Sequence, residues 1–394
     1  MRRVYIVGGL RSHFGVRYGI FKHVRPEVLG AEVLKELKKR HFPRANPDLF
    51  LCGNAVGPGG NIGRLTWLEA GLAKQVPALT LDLQCASGLA AIDMAAAKIR
   101  CGDCDLVVAG GTESASLAPR RIYPEQDERS QKRNPEFTAA QFIPKEFGDD
   151  AMLLGAERAA KKADISRQEA DEAALLSHQK AMVARGKGYL DDVILPLFGS
   201  TKDEAIRPRM GKRLLARAPR VTKVKEGILT SANACTMNDG AAFVVLASES
   251  WVEQHHAAPW AEVLGTQMIG GDPKRPPLSA DLAVETLLDK WGMIYRQIDA
   301  FEYNEAFAVI SADFYKTHPE VADRFNSWGG ALAYGHPYGA SGAEIMIHLI
   351  KRLQIENGRY GVAAIPAAGG IGEAVLVKTV TANKTPLEDL GNNG

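Results

Sequence analysis

Apolar residues in this chain gather into short runs separated by polar or glycine-rich turns. Val4 to Gly9, Phe50 to Val56, Leu79 to Gln84 and Asp105 to Ala109 each have the length and apolar density of a buried strand. Between them the period changes. Pro26 to Leu37 sets its apolar residues on one face of a helix, and Cys85 to Ile99 is Ala-rich with apolar residues at helical spacing. Strand and helix therefore alternate, which predicts an α/β layered fold.

The pattern occurs twice. Ala86-Ser87-Gly88 opens a helix that leads to a strand ending in Ala109-Gly110-Gly111. Ala340-Ser341-Gly342 opens another, Ala343 to Leu353, leading to Val362 to Ile365 and then Ala368-Gly369-Gly370. Ala109 lies 23 residues after Ala86, and Ala368 lies 28 after Ala340. Similar spacing suggests duplicated halves. A polar insertion, about Arg120 to Lys225, separates them, with helices over Glu157 to Ala163 and from an N-cap at Ser166 through Arg185. Its size suits a separate lid. The expected division is 1–119 with about 226–250 as the N-terminal half, 120–225 as the lid, and 251–394 as the C-terminal half. The tail after Thr379 is polar and expected to fray.

Composition narrows the class. The chain of 394 residues can build two cores. A formal net charge of +2 argues against nucleic acid as a partner. One stretch departs from that balance: Arg207 to Lys225 carries only basic charges, as a solvated loop or a site for a polyphosphate ligand. No apolar run reaches membrane-spanning length, and the N-terminus enters a strand without a leader pattern. Cys52, Cys85, Cys101, Cys104 and Cys235 make an odd set that fits a reducing cytoplasm. Cys101 and Cys104 span a turn without a second ligand pair, so no metal site is expected there.

Cys85 is the first candidate for chemistry. It stands where a strand enters a helix, facing unpaired N–H groups and the positive end of the helix dipole, both of which favour thiolate. A buried structural cysteine is the alternative. His336 is the second. It lies among glycines in Tyr334-Gly335-His336-Pro337-Tyr338-Gly339, just before a helix, at the place that mirrors Cys85. A pseudo-twofold axis between the halves would set the two face to face, and a Cys–His pair suffices for covalent acyl transfer. Polar residues in Phe301-Glu302-Tyr303-Asn304-Glu305 follow another strand.

These blocks, with Gly110-Gly111-Thr112-Glu113-Ser114 and Asn233-Ala234-Cys235-Thr236-Met237-Asn238-Asp239-Gly240, resemble the thiolase family nearly end to end. The resemblance implies a five-layer α-β-α-β-α sandwich of two fused five-stranded halves, with the inserted lid over the site. It implies a homodimer or homotetramer, acyl-CoA as substrate and no permanently bound cofactor. Cys85 would be the acyl-accepting nucleophile and His336 the group that activates it. Asn304 would hold a water that joins His336 in an oxyanion hole, and backbone N–H groups near Cys85 and Ala368 would form a second. Arg207, Lys212, Arg213, Arg217, Asn233 and Cys235 would lie along coenzyme A.

The chain departs from the family's usual residues at Pro366 and at Cys235. A second cysteine normally moves the α-proton of the nucleophilic acyl unit. Aligning Arg359-Tyr360-Gly361 and Gly369-Gly370 puts Pro366 there. Proline has no ionisable group, and general acid–base catalysis contributes about 10²–10⁴-fold. Cys235, where the family usually has serine, offers a replacement thiol; a drift from serine in a packed loop is the simpler alternative. Three functions follow: acyl-CoA C-acyltransfer with another proton acceptor, acyl transfer to an acceptor that needs no α-deprotonation (a decarboxylating unit included), or a weakened CoA-binding scaffold.

Overall fold

The structure, a computed structural model, describes residues 2–131, 136–137, 141–144 and 151–380. The tail expected to fray lies almost wholly outside them. In the first half β1 (Val4–Ser12), α1 (Pro26–His41), β2 (Leu49–Gly53), α2 (Ile62–Glu69), β3 (Ala78–Leu81), α3 (Ser87–Cys101) and β4 (Leu106–Ser114) follow in turn. Next come α4 (Ala151–Ala163), α5 (Arg167–Gly186) and the short α6 (Lys212–Arg217), and β5 (Asn238–Ser248) completes the half. α7 (Glu249–His255) leads to β6 (Ala261–Gly270), α8 (Ser279–Trp291), β7 (Ala300–Tyr303) and α9 (Ala308–Thr317). α10 (Ala331–Tyr334), α11 (Tyr338–Glu356), β8 (Tyr360–Ala367) and β9 (Ile371–Thr379) finish the described chain.

Local chemistry explains most boundaries. α5 starts at a capping box in which Ser166 and Glu169 satisfy each other's backbone donors. α3 stops at Gly102, whose φ of 89° needs no Cβ. α11 begins earlier than its apolar pattern predicts, because Pro337, immediately before it, is preorganised for a helix start. Ala340, Ser341 and Gly342 thus lie inside the helix.

The strands run β3-β2-β4-β5-β1 in the first half and β6-β9-β8-β7 in the second, joined through antiparallel β1 and β6 by Tyr5↔Glu262 and Ile6↔Ala261. Parallel steps follow the antiparallel ones in each half: β4 with β2 and β2 with β3 in the first, and β8 with β7 in the second. A fifth strand of the second half shrinks to a single parallel bridge, Phe301↔Phe325. The side chain of Asn326 takes over the edge hydrogen bonds: its Oδ1 accepts from Tyr303 N–H at 2.8 Å and its Nδ2 donates to Tyr303 O at 2.9 Å. No further strand is needed to satisfy that backbone.

Five layers result, with α1 and α2 outside one sheet, α8 and α9 outside the other, and α3 with α11 between the two. α11 is buried on nearly every side. Its polar side chains are accordingly paired: Arg11 Nε donates to His348 Nε2 at 3.1 Å, and Arg352 meets Glu302 at 3.4 Å. Where α3 and α11 cross, backbone touches backbone. A Cβ on Gly342 would come 2.0 Å from Leu89 N, and one on Gly88 would come 2.5 Å from Gly339 O. Only glycine permits that approach. Gly342→Ala should therefore destabilise the fold by roughly 3 kcal/mol or more, the upper range for overpacking; the midpoint of chemical unfolding measures it, and a midpoint unchanged from wild type would contradict the contact.

Candidate active site

The turn between β3 and α3 presents Cys85. Gln84 takes a left-handed φ of 54°, and Ala86 caps the helix. The amides of Ala86 and Ser87 donate to Leu83 O and Gln84 O, each at 3.1 Å, while Ser87 Oγ accepts from Leu83 N–H at 2.9 Å. Two of the donors expected near the thiol are thus consumed inside the turn, while the Cys85 backbone N–H still favours the thiolate. Cys85 is buried, and burial pushes its thiol up to about 12, with the charges of Glu113 and Asp82 adding in the same direction. Against the expected thiolate, desolvation works in opposition to the helix dipole and favours the neutral thiol at Cys85.

His336 is held from three sides. Its backbone N–H donates to Thr236 O at 3.1 Å and to Asn238 Oδ1 at 3.2 Å. Ring Nδ1 lies 2.6 Å from Ser341 Oγ, one turn into α11, and Ser341 Oγ donates onward to Pro337 O at 3.1 Å. Nε2 lies 3.3 Å from Asn304 Nδ2, which can only donate. These partners select the tautomer with a proton on Nδ1 and a lone pair on Nε2. Burial lowers the imidazole to about 3, so the ring is neutral.

Cys85 and His336 share one cavity of about 340 Å³, with Cys235, Met152, Leu153 and Ala368 also on its wall. Two elements far apart in sequence thus converge as the mirrored pattern suggested. Asn304 is fully buried and reaches the cavity through His336. Cys235 stands near Cys85, and burial raises its thiol, followed by the effect of Cys85 itself. Pro366 is absent from this wall; it pairs with Gly372 in the β8–β9 ladder.

A second cavity, of about 590 Å³, gathers Arg207, Arg213 and Arg217 beside Ser231 and Ala232. Lys212 instead lines a separate hollow with Arg167 and Asp171. Asn233 is not on the surface at all: it is fully buried, with Nδ2 donating to Asp171 and to Ile228 O at 2.9 and 3.0 Å. Its place as a coenzyme contact is therefore corrected to that of a tie inside the loop.

Sequence reading missed several residues. Arg209 completes the basic cavity but was hidden among equivalent charges. Glu113 accepts from the N–H groups of Ala55, Gly339 and Val56 at 2.8, 3.1 and 3.3 Å and from Asn54 Nδ2 at 2.9 Å. It clamps the start of α11 to the cavity wall, and burial lifts its carboxyl to about 7. Its glycine-flanked block was visible, but its partners come from both halves. Ser341 could have been found as a hydroxyl one helical turn beyond His336.

Duplicated α/β halves sandwiching two helices, with a cysteine and a histidine at the two helix starts, define an acyl-transfer fold. The chain belongs to the thiolase family: it matches the thiolase N-terminal domain over residues 4–250 and the thiolase C-terminal domain over 257–379. It is 35% identical over 377 residues to the provisionally named acetyl-CoA C-acetyltransferase YhfS of Bacillus subtilis, covering 95% of this chain and 99% of that one. A Staphylococcus haemolyticus protein with the same provisional activity, VraB, is 34% identical over 95% of this chain and 98% of its own. Among solved structures, the Bacillus anthracis acetyl-CoA acetyltransferase superposes with a TM-score of 0.90 at 30% identity, over 96% and 99% of the two chains. Human mitochondrial 3-ketoacyl-CoA thiolase in complex with CoA gives 0.88 at 29% identity, over 96% and 98%. The protein is an acyltransferase enzyme of thiolase-like sandwich fold. Among its described residues no helix is long and apolar enough to cross a membrane, and none form a metal-holding group of three or more acidic, Cys or His side chains.

A thiol held up to about 12 is protonated at neutral pH, so its reactivity should climb as pH rises. Alkylation of Cys85 in the free enzyme by iodoacetamide is expected to increase about tenfold per pH unit between about pH 7 and 10. A plateau already reached near pH 7, followed by mass spectrometry of the Cys85 peptide, would show a resting thiolate instead.

Proposed function

We propose that the enzyme moves an acyl group from acyl-CoA through a thioester on Cys85. The observation that carries this reading is the single cavity shared by Cys85 and a neutral His336 whose Nε2 lone pair is set by Asn304 and Ser341. Cys85 Sγ attacks the thioester carbonyl while its proton passes to His336 Nε2. The carbon–sulfur bond to coenzyme A breaks, and the departing sulfur takes that proton. Because the resting thiol and imidazole are both neutral, proton transfer belongs with the attack rather than before it. Once protonated, Nε2–H joins a water on Asn304 in stabilising the oxyanion, and the N–H groups of Cys85 and Ala368 supply a second hole. Each such donor contributes about 3–4 kcal/mol.

Arg207, Arg213 and Arg217, with Arg209, are proposed to hold the coenzyme A phosphates, supported by their common cavity. Residues 120–225 are proposed as the lid, supported by Met152 and Leu153 in the catalytic wall. Exposed Leu65, Leu68 and Leu79 beside the outer strand β3 support assembly into a homodimer or homotetramer.

Carbon–carbon bond formation needs an α-proton acceptor, and Pro366 cannot be one. Cys235 is a second thiol beside Cys85 and is proposed for that step; transfer to an acceptor needing no deprotonation is the second reading, favoured by Pro366 itself. Incubation with acetyl-CoA should add one acetyl group at Cys85, absent in Cys85→Ala, by intact-mass and peptide mass spectrometry. No adduct despite measurable coenzyme A binding would leave a binding scaffold. Acetoacetyl-CoA thiolysis separates the two enzyme readings: a wild-type rate no higher than Cys85→Ala rejects carbon–carbon cleavage, and a measurable rate lost in Cys235→Ser assigns Cys235 the proton.

A further inference from the structure

The charged side chains on the wall of the Cys85 cavity are two arginines, Arg17 and Arg121, and no described carboxylate joins them there. Neither guanidinium forms an ion pair with a described residue. Arg121, half-buried, donates one Nη2 hydrogen bond to Gly57 O at 2.6 Å. Arg17, exposed at the rim, is fixed through its backbone N–H to Met237 O at 2.9 Å and lies over the Tyr18 ring at 4.7 Å. A guanidinium has five donors, so both arginines keep hydrogen-bonding capacity beyond the contacts named here, on side chains that line the cavity.

The coenzyme A phosphates already have a proposed cradle elsewhere. The cavity of Arg207, Arg209, Arg213 and Arg217 shares no lining residue with the catalytic one. Ser231 and Ala232 line that cradle, Cys235 lines the catalytic cavity, and Met237, which anchors Arg17, lies further along the same segment. A pantetheine arm following the segment would bring its thioester to Cys85 with Arg17 beyond it. The two arginines are then left for the acyl group.

Resting on the acyl-transfer reading above, we propose that the acyl group this enzyme accepts carries a carboxylate of its own, held by Arg17 and Arg121 while its thioester end is transferred to Cys85. Succinyl and glutaryl thioesters are members of this class. The carboxylate is a spectator. Ion pairing with guanidinium stabilises the ionised carboxylate and so opposes loss of carbon dioxide, which separates this role from a decarboxylating one. In the transfer itself the bond from acyl carbon to coenzyme sulfur is exchanged for one to Cys85 Sγ, and the Cys85 proton ends on the coenzyme thiol.

Thioesters of N-acetylcysteamine test this without the phosphates. Butyryl and succinyl esters are compared by the rate at which each acylates Cys85, read by intact mass. Succinyl is expected to react roughly 10–100-fold faster, the range of charge-assisted hydrogen bonds. That ratio should fall about tenfold or more in Arg17→Gln and in Arg121→Gln, with unfolding midpoints confirming that both variants are folded. A butyryl rate equal to or above the succinyl rate overturns the inference, as does a ratio unmoved by both substitutions. Arginine-dependent release of carbon dioxide from malonyl-CoA would also overturn it, by making the carboxylate a leaving group. Absence of any adduct with either ester would overturn the acyl-transfer reading and this inference with it, whereas a butyryl adduct without succinyl preference removes the inference alone.

Discussion

The molecule depends on backbone contact between the first turns of α3 and α11. Gly88, Gly111 and Gly53 approach Gly339 O closely enough that a Cβ on any of them would lie within 2.7 Å of backbone, and Gly342 meets Leu89 in the same way. With side chains there, the helix starts would separate. Because Cys85 immediately precedes one start and His336 the other, that separation would open the cavity the two residues share. The glycines therefore set both the packing density of the central layer and the geometry of the site. Glu113 reinforces the junction by accepting amides from Ala55 and Val56 in one half and Gly339 in the other.

Close packing also decides the electrostatics. A cysteine at a helix start in open solvent would gain from the dipole, but here the nearby amides are turned inward to Leu83 and Gln84. Burial then favours the uncharged form of each partner, thiol for Cys85 and free imidazole for His336. The site is preorganised for charge that develops during reaction and does not store an ion pair beforehand. Ser341 and Asn304 matter for this reason: they fix which nitrogen presents its lone pair.

Pro366 and the cavity arginines bear on which reaction the proposed site would run. Proline at position 366 offers no ionisable side chain for the proton transfer that carbon–carbon bond formation would need. Two guanidiniums on an otherwise mostly apolar wall are what the proposed carboxylate-bearing acyl group rests on. Neither feature alters the layered scaffold.

Alternating apolar runs and helical periods were enough to read the layered fold, because each element buries a face that its own sequence must supply. The repeated Ala-Ser-Gly starts and the mirrored Cys85 and His336 were legible for the same reason: they are local features. What sequence could not show is contact made across the two halves. Asn233 reads as a ligand residue beside Cys235, yet its amide is spent on Asp171 and Ile228. Lys212 reads like its neighbouring arginines, yet the helical turn points it into a different hollow. The fifth strand that the family resemblance implied for the second half is reduced to one bridge at Phe325, with the Asn326 side chain on the edge backbone. Protonation of Cys85 was decided last and only by tertiary structure, since the dipole is a property of one helix while desolvation is imposed by everything packed around it.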